Sequence, residues 1–131
     1  MGLIYLDSCL VIYLTESRRE SIGRLINAVT RSRDIRFAIS PLVKMECLMG
    51  PFKRVDPLLR AEYTTSFAAF ALLSMPEPVY LLAAQLRARF GLKTPDALHL
   101  ACAQHHRCDA LWTNDNRMET ASHGLARRIL K

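Results

Sequence analysis

The sequence predicts a single α/β domain, built as three layers with a central parallel sheet of about five strands between two layers of helices. Its 131 residues fit one domain. Half of the residues are hydrophobic, which allows a substantial core and argues against intrinsic disorder. Short apolar segments alternate with longer helical patterns, as in parallel sheets covered by helices. Because no linker or repeat divides the chain, we expect one domain over residues 1–131.

The first predicted strand covers residues 3–6 and ends at an acid, Asp7. A helix is predicted for residues 8–14. Ser17 and Glu20 then form a capping box, which predicts the start of a second helix. The apolar face of that helix would consist of Ile22, Leu25, Ile26 and Val29.

Two serine- or aspartate-capped helices are predicted next. Residues 36–40 read as a strand, and Ser40-Pro41 places an N-cap residue before a proline in the first helical turn. This helix should end near Gly50-Pro51. Its predicted core face consists of Leu42, Met45 and Met49. Asp56-Pro57 repeats the signal and opens a helix to about residue 70.

The remaining elements follow the same alternation. We expect a short strand over residues 71–75, a helix over 78–90 closed by Gly91, and a helix over 94–106 opened by Thr94-Pro95. A strand over residues 110–113, a turn, a short helix and a last strand near residues 125–130 complete the chain. The total is about five strands and six or seven helices.

Charge, hydropathy and the lack of certain motifs limit the classes of function that the chain can have. Eighteen basic residues against 12 acidic ones give a net charge of +6, and most of the basic residues are arginine, which favours contacts with phosphate. A nucleic acid is therefore the leading partner class, with simple solubility as the alternative. The chain has no membrane-length apolar segment and no signal-peptide pattern, so we expect a soluble, cytoplasmic protein. It also has no glycine-rich phosphate loop, which argues against a dinucleotide oxidoreductase or a P-loop NTPase.

The cysteines are not spaced as a metal or disulfide framework. Cys9, Cys47, Cys102 and Cys108 include no C-x-x-C pair, so we expect reduced and mostly buried thiols. A zinc site at Cys102 and Cys108 with a neighbouring histidine is a weaker alternative because a second ligand pair is missing.

Four acidic residues occupy positions that can converge. Asp7 and Asp115 follow predicted strands, Asp96 lies in the first turn of its helix, and Glu46 lies within an apolar helix. Sites in open α/β sheets form at the carboxyl ends of the strands. Each acid also has an ordinary explanation: Asp96 suits a helix dipole and Asp115 suits a turn. Asp7 and Glu46 are harder to explain, because an acid in apolar surroundings needs a partner.

A divalent cation would resolve the repulsion among these carboxylates. Mg²⁺ and Mn²⁺ take oxygen ligands, and Mg²⁺ commonly bridges carboxylates to a substrate phosphate. An acidic metal centre on a basic protein is what a nuclease requires. A metal-free ribonuclease with two histidines is disfavoured, since no histidine pair lies near the ends of the strands.

Four segments resemble those of PIN-domain ribonucleases, specifically the VapC-type toxins of type II toxin–antitoxin systems. They are residues 4–8 (IYLDS), 40–46 (SPLVKME), 94–101 (TPDALHLA) and 111–115 (LWTND). Each motif is weak alone, whereas the last two together, at their observed spacing, are quite specific. The order and spacing fit over essentially the whole chain.

The resemblance implies a metal-dependent endoribonuclease. Its acidic quartet would be Asp7, Glu46, Asp96 and Asp115, which would hold Mg²⁺, or alternatively Mn²⁺, while the cation activates water for in-line attack on phosphorus. Ser8, Thr113 and Asn114 would support the quartet. Arg117 and His99 are candidate RNA contacts, although His99 also fits a packing or supporting role.

The resemblance also implies partners. They are an RNA substrate, a small antitoxin that covers the site and a second copy of the chain, with DNA bound only through the antitoxin. Two alternatives remain open. The chain could be a PIN-type nuclease of RNA processing or decay, or an RNA- or protein-binding module without activity.

Overall fold

The structure of the protein is a computed structural model. It describes residues 2–16, 20, 23–24, 26–27, 34–114 and 118–128.

A five-stranded parallel sheet forms the centre of the fold, as predicted. Its strand order is β3-β2-β1-β4-β5, so that β1 is central and the chain fills the sheet outward on both sides. Tyr5 of β1 pairs with Ala38 on one side and with Leu111 on the other. The strands are β1 (Gly2–Leu6), β2 (Ile35–Ile39), β3 (Ala71–Leu72), β4 (Ala110–Thr113) and β5 (Ala126–Arg128).

Five helices are complete in the described part of the chain and cover the sheet on both faces, which confirms the three-layer α/β/α class. The first three pack against one another, and the last two form a second packed pair. The helices are α1 (Ser8–Thr15), α2 (Pro41–Lys53), α3 (Pro57–Phe67), α4 (Glu77–Phe90) and α5 (Thr94–His105).

The helix predicted from the capping box falls largely outside the described residues. Positions 20, 23–24 and 26–27 are helical, and Ile26 is buried in the core. Nothing is described for the other residues of that prediction, which are Ser17, Ile22, Leu25 and Val29.

Three local signals act as the sequence indicates. The Ser40 hydroxyl accepts from the backbone N–H of Val43, and the Asp56 carboxylate accepts from that of Leu59, so both residues cap their helices. Gly91 ends α4 in the left-handed conformation, at φ 69°.

The predicted core face of α2 is wrong. Met45 and Met49 are 62% and 69% exposed, and Val43, Cys47 and Pro51 are buried instead. Both sets are spaced like one face of a helix, so periodicity alone does not choose between them. The helix also continues past Gly50-Pro51 to Lys53, because the carbonyl of Gly50 accepts from Arg54 and holds the last turn.

Other element ends differ by a few residues. Helix α3 ends at Phe67 rather than near residue 70, since residues 68–70 form turns closed by Ser66 and Phe67 carbonyls. Strand β3 has two residues instead of five. Lys93 rather than Thr94 is the N-cap of α5, without a side-chain hydrogen bond. Residues 118–124 form turns where a short helix was predicted, and this lowers the helix count.

The core lies between the sheet and its helices. Leu6, Leu10, Leu100 and Leu111 are fully buried there, and Trp112 packs on Phe37 inside the protein. All four cysteines are free, and three of them are buried. Among the described helices, none combines the length and apolar character needed to cross a lipid bilayer.

Candidate metal centre

Asp7 stands at the carboxyl edge of the sheet, where the chain order reverses between β1 and β4. It follows β1 directly, and its backbone N–H donates to the carbonyl of Trp112 at 2.9 Å, which extends the pairing with β4 by one step. Asp7 is also the N-cap of α1 and is only 8% exposed. This edge is where open α/β sheets place their ligands.

Both carboxylate oxygens of Asp7 are held by hydrogen bonds. Oδ1 accepts from the backbone N–H of Ser8 at 2.7 Å, and the Ser8 hydroxyl lies 3.4 Å from the same oxygen. Oδ2 accepts from the Thr113 hydroxyl at 2.7 Å. The orientation of the carboxylate is therefore fixed by α1 on one side and by the end of β4 on the other.

Glu46 and His99 meet Asp7 at this edge. Glu46 comes from α2 and His99 from α5, and Nε2 of His99 lies 2.5 Å from Oε1 of Glu46. The same nitrogen is 3.6 Å from Oδ1 of Asp7. One potential ligand atom of each residue lies within 4.8 Å of the others, so three distant segments form one compact cluster.

The Glu46 carboxylate is stabilised in its charged form. Burial alone would raise its pKa, but a hydrogen bond and electrostatic attraction from His99, together with a hydrogen bond from Ser8, outweigh burial and lower the pKa of Glu46 below its ordinary value. Within the described part of the chain, the side-chain nitrogen that lies near both Asp7 and Glu46 is Nε2 of His99, and no lysine or arginine there forms an ion pair with either carboxylate. Among the described residues, therefore, no fixed cationic side chain offsets the charge of the two carboxylates.

Asp96 belongs to the same cleft. It lies in the first turn of α5, is 8% exposed and faces a cleft of about 370 Å³. The described residues that line the cleft are Asp7, Ser8, Cys9, Glu46, Lys93, Pro95, Asp96, His99 and Asn114. Carboxylates at the mouth of a cleft are suitable ligands for Mg²⁺ or Mn²⁺, so the side chains present fit a divalent cation.

Most of the predicted site residues come together. Asp7, Glu46 and Asp96 share the cleft, and the predicted supporting residues Ser8 and Thr113 hydrogen-bond Asp7. Asn114 lines the cleft and donates to the Tyr13 hydroxyl at 3.3 Å. The other two predicted residues, Asp115 and Arg117, lie outside the described residues.

His99 is buried and is not exposed for the RNA contact that the sequence suggested for it. It is 1% exposed, and both ring nitrogens are hydrogen-bonded inside the protein. Its position three residues after Asp96 puts both side chains on the same face of α5, which is the signal that the sequence offered.

Sequence reasoning missed two buried residues behind the cluster. Tyr5 Oη is 2.6 Å from Nδ1 of His99 and 2.7 Å from the Ser40 hydroxyl. Ser40 was predicted only as a helix cap. A tyrosine within an apolar strand gives no sequence signal for such a contact, because β-strands commonly contain aromatic residues for packing. Lys93, exposed at the cleft, was also missed.

Cys9 lines the cleft but is not a nucleophile. Burial, together with the charge of Asp7, raises the pKa of its thiol to about 12. The thiol is therefore protonated at neutral pH, whereas thiol chemistry requires the thiolate.

The chain belongs to the PIN domain family: the family model described as PIN domain matches residues 4–124. The fold is also that of solved toxin–antitoxin proteins. A toxin–antitoxin complex from Klebsiella pneumoniae matches with TM-score 0.78 and 24% identity over the full length of both chains.

Two further structures are similar in fold. VapBC2 from Rickettsia felis, bound to a DNA fragment from its promoter, matches with TM-score 0.82 and 14% identity, over 95% of this chain and 97% of the other. DNA-bound VapBC from Salmonella typhimurium matches with TM-score 0.72 and 18% identity, over 97% and 98%. No curated protein matches the chain by sequence. The PIN domain expected from the four motifs is thus confirmed.

Proposed function

We propose that this chain is a VapC-type toxin, an endoribonuclease that depends on Mg²⁺ or Mn²⁺. The observation that carries the proposal is the cluster at the carboxyl edge of the sheet. There Asp7 and Glu46 approach each other in a PIN domain, and within the described residues the nitrogen near both carboxylates belongs to His99 rather than to a lysine or arginine. Such a pair of carboxylates is stabilised most directly by a cation.

Asp7, Glu46 and Asp96 would hold the cation, and Asp115 would complete the set. When bound, the cation supplies Lewis-acid activation of water and stabilises negative charge that develops on the phosphate. Ser8 and Thr113 keep the Asp7 carboxylate in one orientation, so the site is organised before the cation binds. Asn114 lies beside them in the cleft.

Basic side chains would hold the RNA. Lys93 is exposed at the cleft, where its ammonium group can reach a phosphate close to the carboxylates. Arg117 is a second candidate. The net charge of +6 favours binding of a polyanion over the whole surface, and this contribution falls as salt concentration rises.

A cognate antitoxin is the proposed protein partner. The support is that similar folds occur in solved toxin–antitoxin complexes, including VapBC. We further propose that the chain acts in the cytoplasm as a homodimer and meets DNA only through the antitoxin. A short neighbouring gene for a DNA-binding protein would distinguish a toxin from a nuclease of RNA processing.

The direct test is cleavage of total RNA by the purified wild type and by Asp7→Asn, each with Mg²⁺, Mn²⁺ or EDTA. We expect cuts that need the metal and that disappear in the variant. The protein must be folded and free of a copurified inhibitor. If no metal supports cleavage by such a preparation, the nuclease proposal is wrong, and a binding module takes its place.

A further inference from the structure

A chain of buried hydrogen bonds runs from the core to Glu46. It begins at Ser40, passes through Tyr5 and His99, and ends at the Glu46 carboxylate, with successive distances of 2.7, 2.6 and 2.5 Å. Ser40 and Tyr5 are fully buried, and His99 nearly so. Three strand or helix segments that are distant in sequence contribute to this chain, so it depends on the tertiary fold.

One direction of these hydrogen bonds gives both hydroxyl protons an acceptor. The backbone N–H of Val43 donates to the Ser40 hydroxyl oxygen, and the Ser40 proton can donate to the Tyr5 hydroxyl oxygen. The Tyr5 hydroxyl can then donate to Nδ1 of His99. A neutral imidazole in that arrangement has its proton on Nε2, where it donates to Glu46.

The opposite direction is unfavourable. If Nδ1 of a neutral His99 donated to Tyr5, the lone pair of Nε2 would face a carboxylate oxygen of Glu46 at 2.5 Å. Tyr5 also keeps its proton, because burial raises the pKa of its hydroxyl well above the ordinary value of a tyrosine. No buried side-chain nitrogen or oxygen among the described residues lacks a partner, as is usual for buried polar groups.

We propose that His99 is a positioning residue that holds Glu46 for cation binding, and that Tyr5 and Ser40 fix the tautomer with which it does so. The proposal rests on the proposed metal-dependent nuclease activity for its purpose. Its hydrogen-bond geometry, however, can be tested in the protein alone. Loss of partners that orient metal ligands typically weakens metal affinity about 10- to 100-fold.

A pair of substitutions at position 99 separates positioning from packing. Glutamine places an amide donor near the position of Nε2, whereas asparagine reaches only the region of Nδ1. We expect His99→Asn to weaken Mn²⁺ binding about 10- to 100-fold, and His99→Gln to stay close to the wild type. Calorimetric titration with Mn²⁺ measures both. Equal losses in the two folded variants, or none in either, would overturn the positioning role.

Tyr5→Phe tests the second half of the proposal. Its matched control is Tyr63→Phe, which removes the hydroxyl of another fully buried tyrosine, one that donates to Glu16 away from the cluster. Both variants should lose some stability, as thermal unfolding will show. Only Tyr5→Phe should weaken Mn²⁺ binding, because only Tyr5 contacts His99.

Nitrogen NMR of the imidazole reads the tautomer without any metal or RNA. We expect the wild type to carry the proton of His99 on Nε2, and Tyr5→Phe to lose this preference while Tyr63→Phe keeps it. A proton on Nδ1 in the wild type, or a spectrum unchanged in Tyr5→Phe, would overturn the role of Tyr5.

The two proposals fail in different ways. If the wild type shows the expected tautomer and the expected Mn²⁺ affinities but cuts no RNA, the nuclease function is wrong and the positioning role stands. If the wild type cuts RNA but His99→Asn binds Mn²⁺ as tightly as the wild type, the positioning role alone is wrong.

Discussion

The two edges of the sheet each present an aspartate next to β1 and β4, but with different surroundings. At the amino edge, Asp109 precedes β4, and its carboxylate accepts from the backbone N–H of Leu3 at 2.7 Å in an exposed position. At the carboxyl edge, Asp7 is buried beside Glu46 and His99. Asp109 completes the strand pairing, whereas Asp7 lies among groups that no strand pairing requires.

The difference shows that position in the topology, more than residue type, separates a structural acid from a candidate ligand. A carboxylate that accepts from a backbone N–H replaces the hydrogen bond that water would make. Two carboxylates brought together in a cleft repel each other unless a cation or hydrogen-bond donors offset their charge. The free-energy cost of this repulsion is tolerated at functional sites, where binding of the ligand offsets it.

The largest expected contrast between the edges is in activity. Asp7→Asn should lower RNA cleavage by at least about 10³-fold, because a metal ligand contributes several kcal/mol to the transition state. Asp109→Asn should leave the cleavage rate near that of the wild type. Initial rates on one RNA at matched Mg²⁺ test the pair, and equal losses would mean that the edges do not differ as described.

Metal removal gives the next largest effect. Mn²⁺ at about 100 times its Kd should stabilise the wild type by roughly 2.7 kcal/mol, since it binds only the folded chain. EDTA should reverse the rise in melting temperature. Asp109→Asn should show the same rise. A rise that survives in Asp7→Asn would place the cation elsewhere.

The amino edge can be tested by stability alone. Asp109→Ala should cost about 0.5–1.5 kcal/mol, the net value of an ordinary hydrogen bond, because the N–H of Leu3 loses its partner. Urea unfolding at fixed pH with EDTA measures the change. A much larger loss would mean that Asp109 has a role beyond strand pairing.

The smallest expected effect is on the reactivity of two thiols, Cys9 near Asp7 and Cys108 near Asp109. Burial first, and then the charge of Asp7, raises the pKa of Cys9 to about 12, while burial and Asp109 raise that of Cys108 to about 11. Removing a neighbouring negative charge lowers a thiol pKa and increases its thiolate fraction. Asp7→Asn should therefore speed alkylation of Cys9 at pH 8 by up to about tenfold, one pKa unit, without affecting Cys108.

Mass spectrometry of iodoacetamide-treated protein follows each thiol separately. Asp109→Asn is the control and should act on Cys108 instead of Cys9. If Asp7→Asn leaves Cys9 as slow as in the wild type, the charge of Asp7 does not reach that thiol.

Much of the site could be predicted because its signals are local. An acid directly after an apolar strand defines Asp7, and a helix-opening Thr-Pro pair defines the position of Asp96. Parallel strands with helical connections then place both at one edge. The predicted strands and most helices agree with the structure for the same reason.

The rest depends on tertiary contacts that no local pattern encodes. The core face of α2 was misassigned because two helical faces are equally apolar, and only packing against the sheet selects Val43 over Met45. The Tyr5 hydroxyl forms hydrogen bonds with Ser40, which is 35 positions away in the sequence, and with His99, which is 94 positions away. These hydrogen bonds form because β1, α2 and α5 pack together in the fold, and no local sequence pattern predicts that packing.

The most direct test of a cation site at the carboxyl edge is calorimetric titration of Mn²⁺ into the wild type, Asp7→Asn and Asp109→Asn, all shown to be folded. We expect saturable binding by the wild type and Asp109→Asn, and its loss in Asp7→Asn. Binding by Asp7→Asn as tight as that of the wild type, or no binding by the wild type, would contradict it.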